Sequence, residues 1–107
     1  MHKATKALQI SKAVKRAVYE RDKGLCVICG VPGLPEAHVV SRAHLGLGVE
    51  ENIVTLCRDC HRLYDGIRRK EYGALIRNYL KGIYPDWNEN NLIYHKGGNY
   101  EQNHSDR

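Results

Sequence analysis

Four cysteines stand in two close pairs, Cys26 with Cys29 and Cys57 with Cys60, and 27 residues separate the pairs. Each pair can offer two thiolates to one metal ion, and together they complete a tetrahedral shell of four sulfurs, for which zinc is the usual metal. A shell filled by four protein ligands leaves no position for a substrate, so we expect this zinc to stabilise the fold. The alternatives, two redox pairs or four unrelated thiols, are disfavoured by the repeated spacing.

A second set of reactive side chains lies between and just after the cysteine pairs. His61 directly follows the second pair, and Asp65 lies one helical turn later, so the two can share one divalent ion. His38 lies in the intervening segment, and an imidazole whose ordinary pKa is about 6.5 can accept a proton near neutral pH. A base that activates water beside a bound cation is what hydrolysis of a phosphodiester requires.

Helical periodicity predicts three helices around these residues. Ser11 can cap the first helix and Gly24 lies just beyond its end. The second contains no helix breaker, and the third carries five apolar residues on one face and should close at Gly82. Their expected ranges are 11–21, 58–65 and 69–81.

Between the first two helices, Gly and Pro divide the chain into pieces too short for further helices. Two runs rich in β-branched residues, 37–40 and 52–56, are separated by a loop of hairpin length and predict a pair of strands. We expect residues 1–10 to be a flexible segment, 11–84 to form one domain and 85–107 to be a polar, mobile tail.

The order of these residues resembles the signature of the HNH endonucleases. The string from Cys26 to Cys29, followed by residues 37–40 and 51–61, places the three signature letters on His38, Asn52 and His61. The resemblance covers roughly residues 20–66 and includes the paired cysteines that many phage and bacterial members carry. It implies an α+β fold with a small ββα-metal core, similar to a treble clef, a structural zinc site and flanking helices.

Carried onto this sequence, the resemblance implies a metal-dependent endonuclease that nicks or cuts DNA with low specificity. His38 would be the general base, and Asn52 would fix the loop between the strands and help to orient it. His61 and Asp65 would bind the catalytic divalent ion, which could be Mg²⁺, Mn²⁺, Ni²⁺ or Zn²⁺.

One position departs from the family's pattern. Many members carry a metal ligand directly before the base, where this chain has Ala37, whose methyl group cannot bind a metal. Either Glu36 or His44 substitutes for that ligand, or water and substrate oxygens complete the shell.

The formal net charge of +5 and the sequence pI near 9.1 favour a polyanionic partner, although many proteins with such a charge bind no nucleic acid. The alternatives to a nuclease are a non-catalytic zinc-dependent DNA-binding module and a subunit of a phage DNA-packaging assembly. No signal peptide or membrane-spanning run is evident, so we expect a cytoplasmic protein, and the sequence makes no prediction of its oligomeric state. The basic residues expected to contact DNA are Arg42, His44, Arg58, Arg62, Arg68, Arg69 and Lys70.

Overall fold

The structure, a computed structural model, describes residues 3–95. In chain order they form α1 (Lys3–Leu8), α2 (Lys12–Arg21), β1 (Leu34–His38), β2 (Ile53–Leu56), α3 (Arg58–Asp65) and α4 (Arg69–Ile83). Short 3-10 helices cover Arg42–His44, Glu50–Asn52 and Glu89–Leu92. Within these residues, every helix is too short or too polar to cross a membrane.

The three predicted helices are present. The Ser11 hydroxyl caps α2 by accepting from the Val14 backbone N–H at 3.1 Å. The prediction that Gly82 closes α4 is wrong, because the helix continues to Ile83. A glycine inside a helix lowers the stability of that helix by only about 1 kcal/mol relative to alanine. Pro85 terminates the helix more effectively, because it forces the preceding residue, Tyr84, into an extended conformation.

The two strands pair antiparallel, with Ala37 opposite Val54 and His38 opposite Ile53. β1 begins earlier than predicted and ends at His38, so Val39 and Val40 lie outside it. The Val39 N–H still donates to the Asn52 carbonyl, but Asn52 belongs to a 3-10 helix, and its side chain takes the backbone N–H and carbonyl of Val40, so the strand pairing ends there. β1 therefore places His38 at the end of the sheet.

The hydrophobic core lies between the sheet and helices α3 and α4. Helix α2 buries Val18 and is also held to β2 by polar contacts, since Arg21 donates to the Ile53 carbonyl at 2.7 Å and Asp22 accepts from the Thr55 N–H at 2.9 Å. The buried residues of the core are Cys26, Ala37, Val39, Val54, Leu56, Cys60, Tyr64, Ile76 and Leu80.

The two segments that flank the predicted domain, residues 3–10 and 85–95, contain a helix and contacts to the domain. Residues 3–8 form a helix, and Leu8 is buried. After Pro85 the chain packs back onto the domain: the Trp87 indole N–H donates to the Glu51 carbonyl at 2.7 Å, and Leu92 is buried. The domain limits of 11–84 stay a prediction. The rest of the predicted tail, residues 96–107, lies outside the described residues.

Candidate active site and metal centre

The four cysteine sulfurs meet in one cluster, with all four Sγ atoms within 4.8 Å of one another. The Sγ atoms of Cys29 and Cys57 are 3.7 Å apart. A tetrahedron with zinc–sulfur bonds of about 2.3 Å has edges of about 3.8 Å, whereas a disulfide would bring two sulfurs to about 2.05 Å. The donor set and its spacing therefore fit a tetrahedral four-thiolate metal site.

Tight turns present each pair of thiols to this cluster. In the first pair the Gly30 N–H donates to the Cys26 carbonyl at 2.9 Å, and Gly30 adopts a φ of +84°, a conformation that suits glycine. In the second pair Cys57 is the N-cap of α3, and its sulfur accepts from the Cys60 N–H at 3.4 Å. The metal site thus joins the loop before β1 to the start of α3.

The thiols differ in acidity. Burial raises the pKa of Cys26, but backbone N–H groups, those of Cys29 and Cys57 among them, lower it by more, and the resulting pKa is about 7. Burial and the neighbouring thiols raise the pKa of Cys60 above its usual range. A metal must therefore displace protons from this cluster, and its binding is expected to weaken as the pH falls.

His38 is half-buried at the end of β1. Its Nε2 lies 3.1 Å from the carbonyl oxygen of Leu8, which can only accept, so Nε2 carries the proton and Nδ1 is the basic nitrogen. Burial lowers the pKa of His38, the Leu8 hydrogen bond raises it, and the charges of Arg42 and His61 lower it. The net pKa falls below 6.5, which keeps the ring neutral at pH 7.

Asn52 is fully buried and closes the loop that follows His38. Its Oδ1 accepts from the Val40 N–H at 2.8 Å, and its Nδ2 donates to the carbonyls of Val40 at 3.1 Å and Leu47 at 2.8 Å. A Cβ at Gly46 would overlap the Val40 carbonyl oxygen, so this loop also requires glycine there. The side chain predicted to fix the loop makes these three bonds, while its catalytic contribution stays a prediction.

His61 and Asp65 lie on the outer face of α3, with Nε2 of His61 3.7 Å from Oδ2 of Asp65. Their side chains are 37% and 65% exposed, so both can reach a ligand from solvent. The same geometry also suits a simple ion pair between residues one turn apart. Over residues 3–95, the four thiols are the only cluster of three or more candidate metal ligands.

The two candidates for the missing ligand before His38 lie apart from His61 and Asp65 among the described residues. Ala37 is fully buried and faces the core. Glu36 forms a 3.8 Å ion pair with Lys15 of α2, and Nδ1 of His44 lies 2.8 Å from the Ser41 hydroxyl. Neither joins His61 and Asp65 in a ligand cluster among the described residues. Which group completes the shell stays a prediction.

The basic residues predicted to contact DNA are all exposed, and they lie in the 3-10 helix after β1, in α3, and from residue 68 into the first turn of α4. Some already have partners: Arg62 pairs with Asp59 at 3.2 Å and Arg68 with Glu71 at 2.6 Å. The Arg69 guanidinium lies 5.2 Å from the centre of the Tyr64 ring. Contact with DNA stays a prediction for this set.

Sequence reasoning missed two groups beside His38. The first is the Leu8 carbonyl, for which the sequence offered no signal, because any residue supplies a backbone carbonyl. The second is the buried Tyr64 hydroxyl, which donates to the Val39 carbonyl at 3.0 Å and ties α3 to the residue after His38. A tyrosine on the inner face of a predicted helix requires such a partner, so the signal for Tyr64 was present.

Comparison with known proteins agrees with the sequence pattern. The family model described as HNH endonuclease matches residues 26–65, a range that runs from the first cysteine to Asp65. No curated protein matches the chain. With the sulfur cluster and the two-stranded sheet, this match confirms the predicted resemblance and the α+β fold class.

Proposed function

Because residues 26–65 match the HNH endonuclease family model, we propose that this protein is a metal-dependent endonuclease that hydrolyses phosphodiester bonds in DNA, nicking or cutting with low specificity. One observation carries the proposal. His38 bonds through Nε2 to the Leu8 carbonyl and so leaves Nδ1 as its basic nitrogen, Nε2 of His61 lies 3.7 Å from Oδ2 of Asp65, and all three residues fall in the matched segment. A basic ring nitrogen and two side chains that are able to bind a metal support the proposal.

The nitrogen of His61 and the carboxylate of Asp65 fit a divalent cation such as Mn²⁺, Ni²⁺ or Zn²⁺, and the carboxylate also suits Mg²⁺. When bound, such an ion would polarise the phosphate and stabilise negative charge on the leaving oxygen. With two protein ligands, the remaining positions are open to water and to phosphate oxygens. The four-thiolate zinc site has no such opening and serves the fold.

His38 supplies the base. Nε2–H of His38 donates a hydrogen bond to the Leu8 carbonyl. Nδ1 takes a proton from water while the water oxygen forms a bond to phosphorus. The bond from phosphorus to the leaving oxygen breaks, and that oxygen takes a proton from solvent. The lowered pKa keeps Nδ1 free at neutral pH.

The exposed arginines of α3 and α4 and the net charge of +5 support binding to the phosphate backbone, which carries little sequence information. A cytoplasmic location is part of the proposal, since reducing conditions keep the four thiols available to zinc. A role in phage packaging is not proposed, because its main support, an unpartnered apolar face on α4, is weakened: Ile76 and Leu80 of that helix are buried in the core of their own domain.

One observation favours a second candidate, a zinc-dependent DNA-binding module that does not cleave. The buried Ala37 leaves His61 and Asp65 as the protein ligands for the catalytic ion, which lowers the expected affinity for it. This candidate predicts DNA binding and no cleavage with any metal.

A plasmid assay separates the two candidates. The zinc-loaded protein, dialysed against metal-free buffer, is incubated with supercoiled plasmid and Mg²⁺, Mn²⁺, Ni²⁺ or Zn²⁺. We expect relaxed and linear products with at least one added ion and none without. His61→Ala should lower the cleavage rate at least about tenfold, while His95→Ala, which changes an exposed histidine outside the site, should leave it unchanged. Binding without cleavage under every metal would overturn the endonuclease proposal.

A further inference from the structure

We propose that helix α1 is a positioning element for the catalytic base, with the backbone carbonyl of Leu8 holding the imidazole of His38 in its working orientation. The inference rests on the proposed function and extends it, because α1 (Lys3–Leu8) lies outside the matched residues 26–65. Residues that precede the matched segment therefore contribute to the reaction.

The carbonyls at the end of α1 bind the helix to the rest of the domain. The last carbonyls of any helix lack partners within the helix and must find them elsewhere. Here the Ala7 carbonyl accepts from the Gly48 N–H at 3.0 Å, and the Leu8 carbonyl accepts from Nε2 of His38 at 3.1 Å. The Leu8 side chain is 7% exposed, so apolar burial adds to these two bonds. Three contacts therefore hold this helix end beside the base.

Gly48 permits the close approach. It is buried, and a Cβ built on it would overlap the carbonyl oxygen of Gln9 and lie 3.0 Å from that of Leu8. Any side chain at residue 48 must push residues 8 and 9 away. The identity of residue 48 thus controls whether the Leu8 carbonyl can reach His38.

The hydrogen bond to the Leu8 carbonyl fixes the orientation of the His38 ring, which β1 alone does not set. β1 sets the backbone of His38, but the ring can still rotate about two side-chain bonds. Holding Nε2–H against Leu8 sets the ring plane and leaves Nδ1 as the proton acceptor. A displacement of about 1 Å in a reacting group can lower a rate about 100-fold, so loss of this contact should be felt in the chemical step.

Gly48→Ala tests the inference, with Gly82→Ala as the matched control because a Cβ at residue 82 meets nothing within 4 Å. We expect Gly48→Ala to lower the single-turnover cleavage rate by roughly 10- to 100-fold while DNA affinity stays within about twofold. The His38 Nε2 proton, seen in ¹H–¹⁵N spectra as a slowly exchanging signal in the wild type and in Gly82→Ala, should exchange rapidly in Gly48→Ala.

A second variant leaves residue 48 untouched. An ester in place of the amide between Leu8 and Gln9, introduced by ligating a synthetic peptide of residues 1–25 to Cys26 of the remaining chain, makes the Leu8 carbonyl a weaker acceptor. It removes the Gln9 N–H as well, whose bond to the Lys6 carbonyl is long, at 3.3 Å. We expect a slower cleavage rate and faster exchange of the ring proton here too.

The outcomes separate this inference from the proposed function. If the wild type cleaves DNA and both variants cleave at its rate, or if they lose activity while the His38 ring proton stays protected, the positioning role of α1 is overturned and the endonuclease proposal stands. If the wild type cleaves nothing with any metal, both fall.

Discussion

Replacing Asn52 with alanine should destabilise the domain more than any exposed substitution around the site. The side chain is fully buried, and its removal leaves the Val40 N–H and the carbonyls of Val40 and Leu47 without the partners they now have. A buried polar group left without a partner costs about 1–3 kcal/mol. Taking the lower value for each of the three groups gives a loss of about 3 kcal/mol in the free energy of unfolding.

Urea denaturation monitored by circular dichroism, with zinc held in fixed excess, measures this loss. For a domain of this size, about 3 kcal/mol corresponds to a decrease in Tm of at least roughly 10 °C. The cleavage rate of the fraction that remains folded should fall as well, because the loop that follows His38 is no longer closed. A free energy of unfolding within about 0.5 kcal/mol of the wild type would refute the reasoning, since three lost hydrogen bonds must cost more than that.

Thr55→Val provides a control of opposite sign three residues away. Thr55 is as fully buried as Asn52, yet its hydroxyl has no hydrogen-bond partner within the described part of the chain. Valine has nearly the same shape and removes the unsatisfied hydroxyl, so we expect the free energy of unfolding to rise by about 1 kcal/mol. A loss of stability equal to that of Asn52→Ala would show that burial alone, and not hydrogen bonding, sets these values.

Three further predictions concern the metal sites and the base. Ala37→Asp, which restores the family's ligand, should lower the free energy of unfolding by roughly 3–5 kcal/mol without improving Mn²⁺ binding, because residue 37 faces the core; tighter Mn²⁺ binding in calorimetry would contradict this. The single-turnover cleavage rate should rise with pH through a pKa below 6.5 and level off near pH 7, since burial lowers the pKa of His38 and the base works only when neutral; a rate that climbs steadily to pH 9 would exclude His38 as the titrating group. Elemental analysis should find about one zinc per chain, and Cys60→Ser should lose both the zinc and the cooperative unfolding transition; a folded, zinc-free variant would remove the structural role of the site.

The features that the sequence predicted well are those set by local spacing. The duplicated pair of cysteines predicted the metal cluster, and the range 58–65 was predicted for α3 because Cys57 precedes an unbroken run that ends at Gly66. The spacing of His61 and Asp65 by one turn predicted their proximity for the same reason. Each of these depends on residues that are neighbours in the chain.

The features that the sequence predicted poorly depend on contacts between distant residues. Val39 and Val40 have high strand propensity, yet the side chain of Asn52 takes both the backbone N–H and the carbonyl of Val40, and β1 ends at His38. Residues 3–8 are too few for a stable helix in isolation, and α1 depends on its docking to Gly48 and His38. Those contacts involve a glycine and a backbone carbonyl, whose roles no residue pattern reveals.

In the proposed mechanism, the imidazole of His38 removes a proton from the attacking water. Its most direct test is the single-turnover cleavage rate of plasmid DNA saturated with protein, measured for the wild type and His38→Ala at equal zinc content and with the most active divalent ion. We expect a rate at least about 100-fold lower in the variant, with DNA affinity retained. A variant that cleaves as fast as the wild type would contradict it.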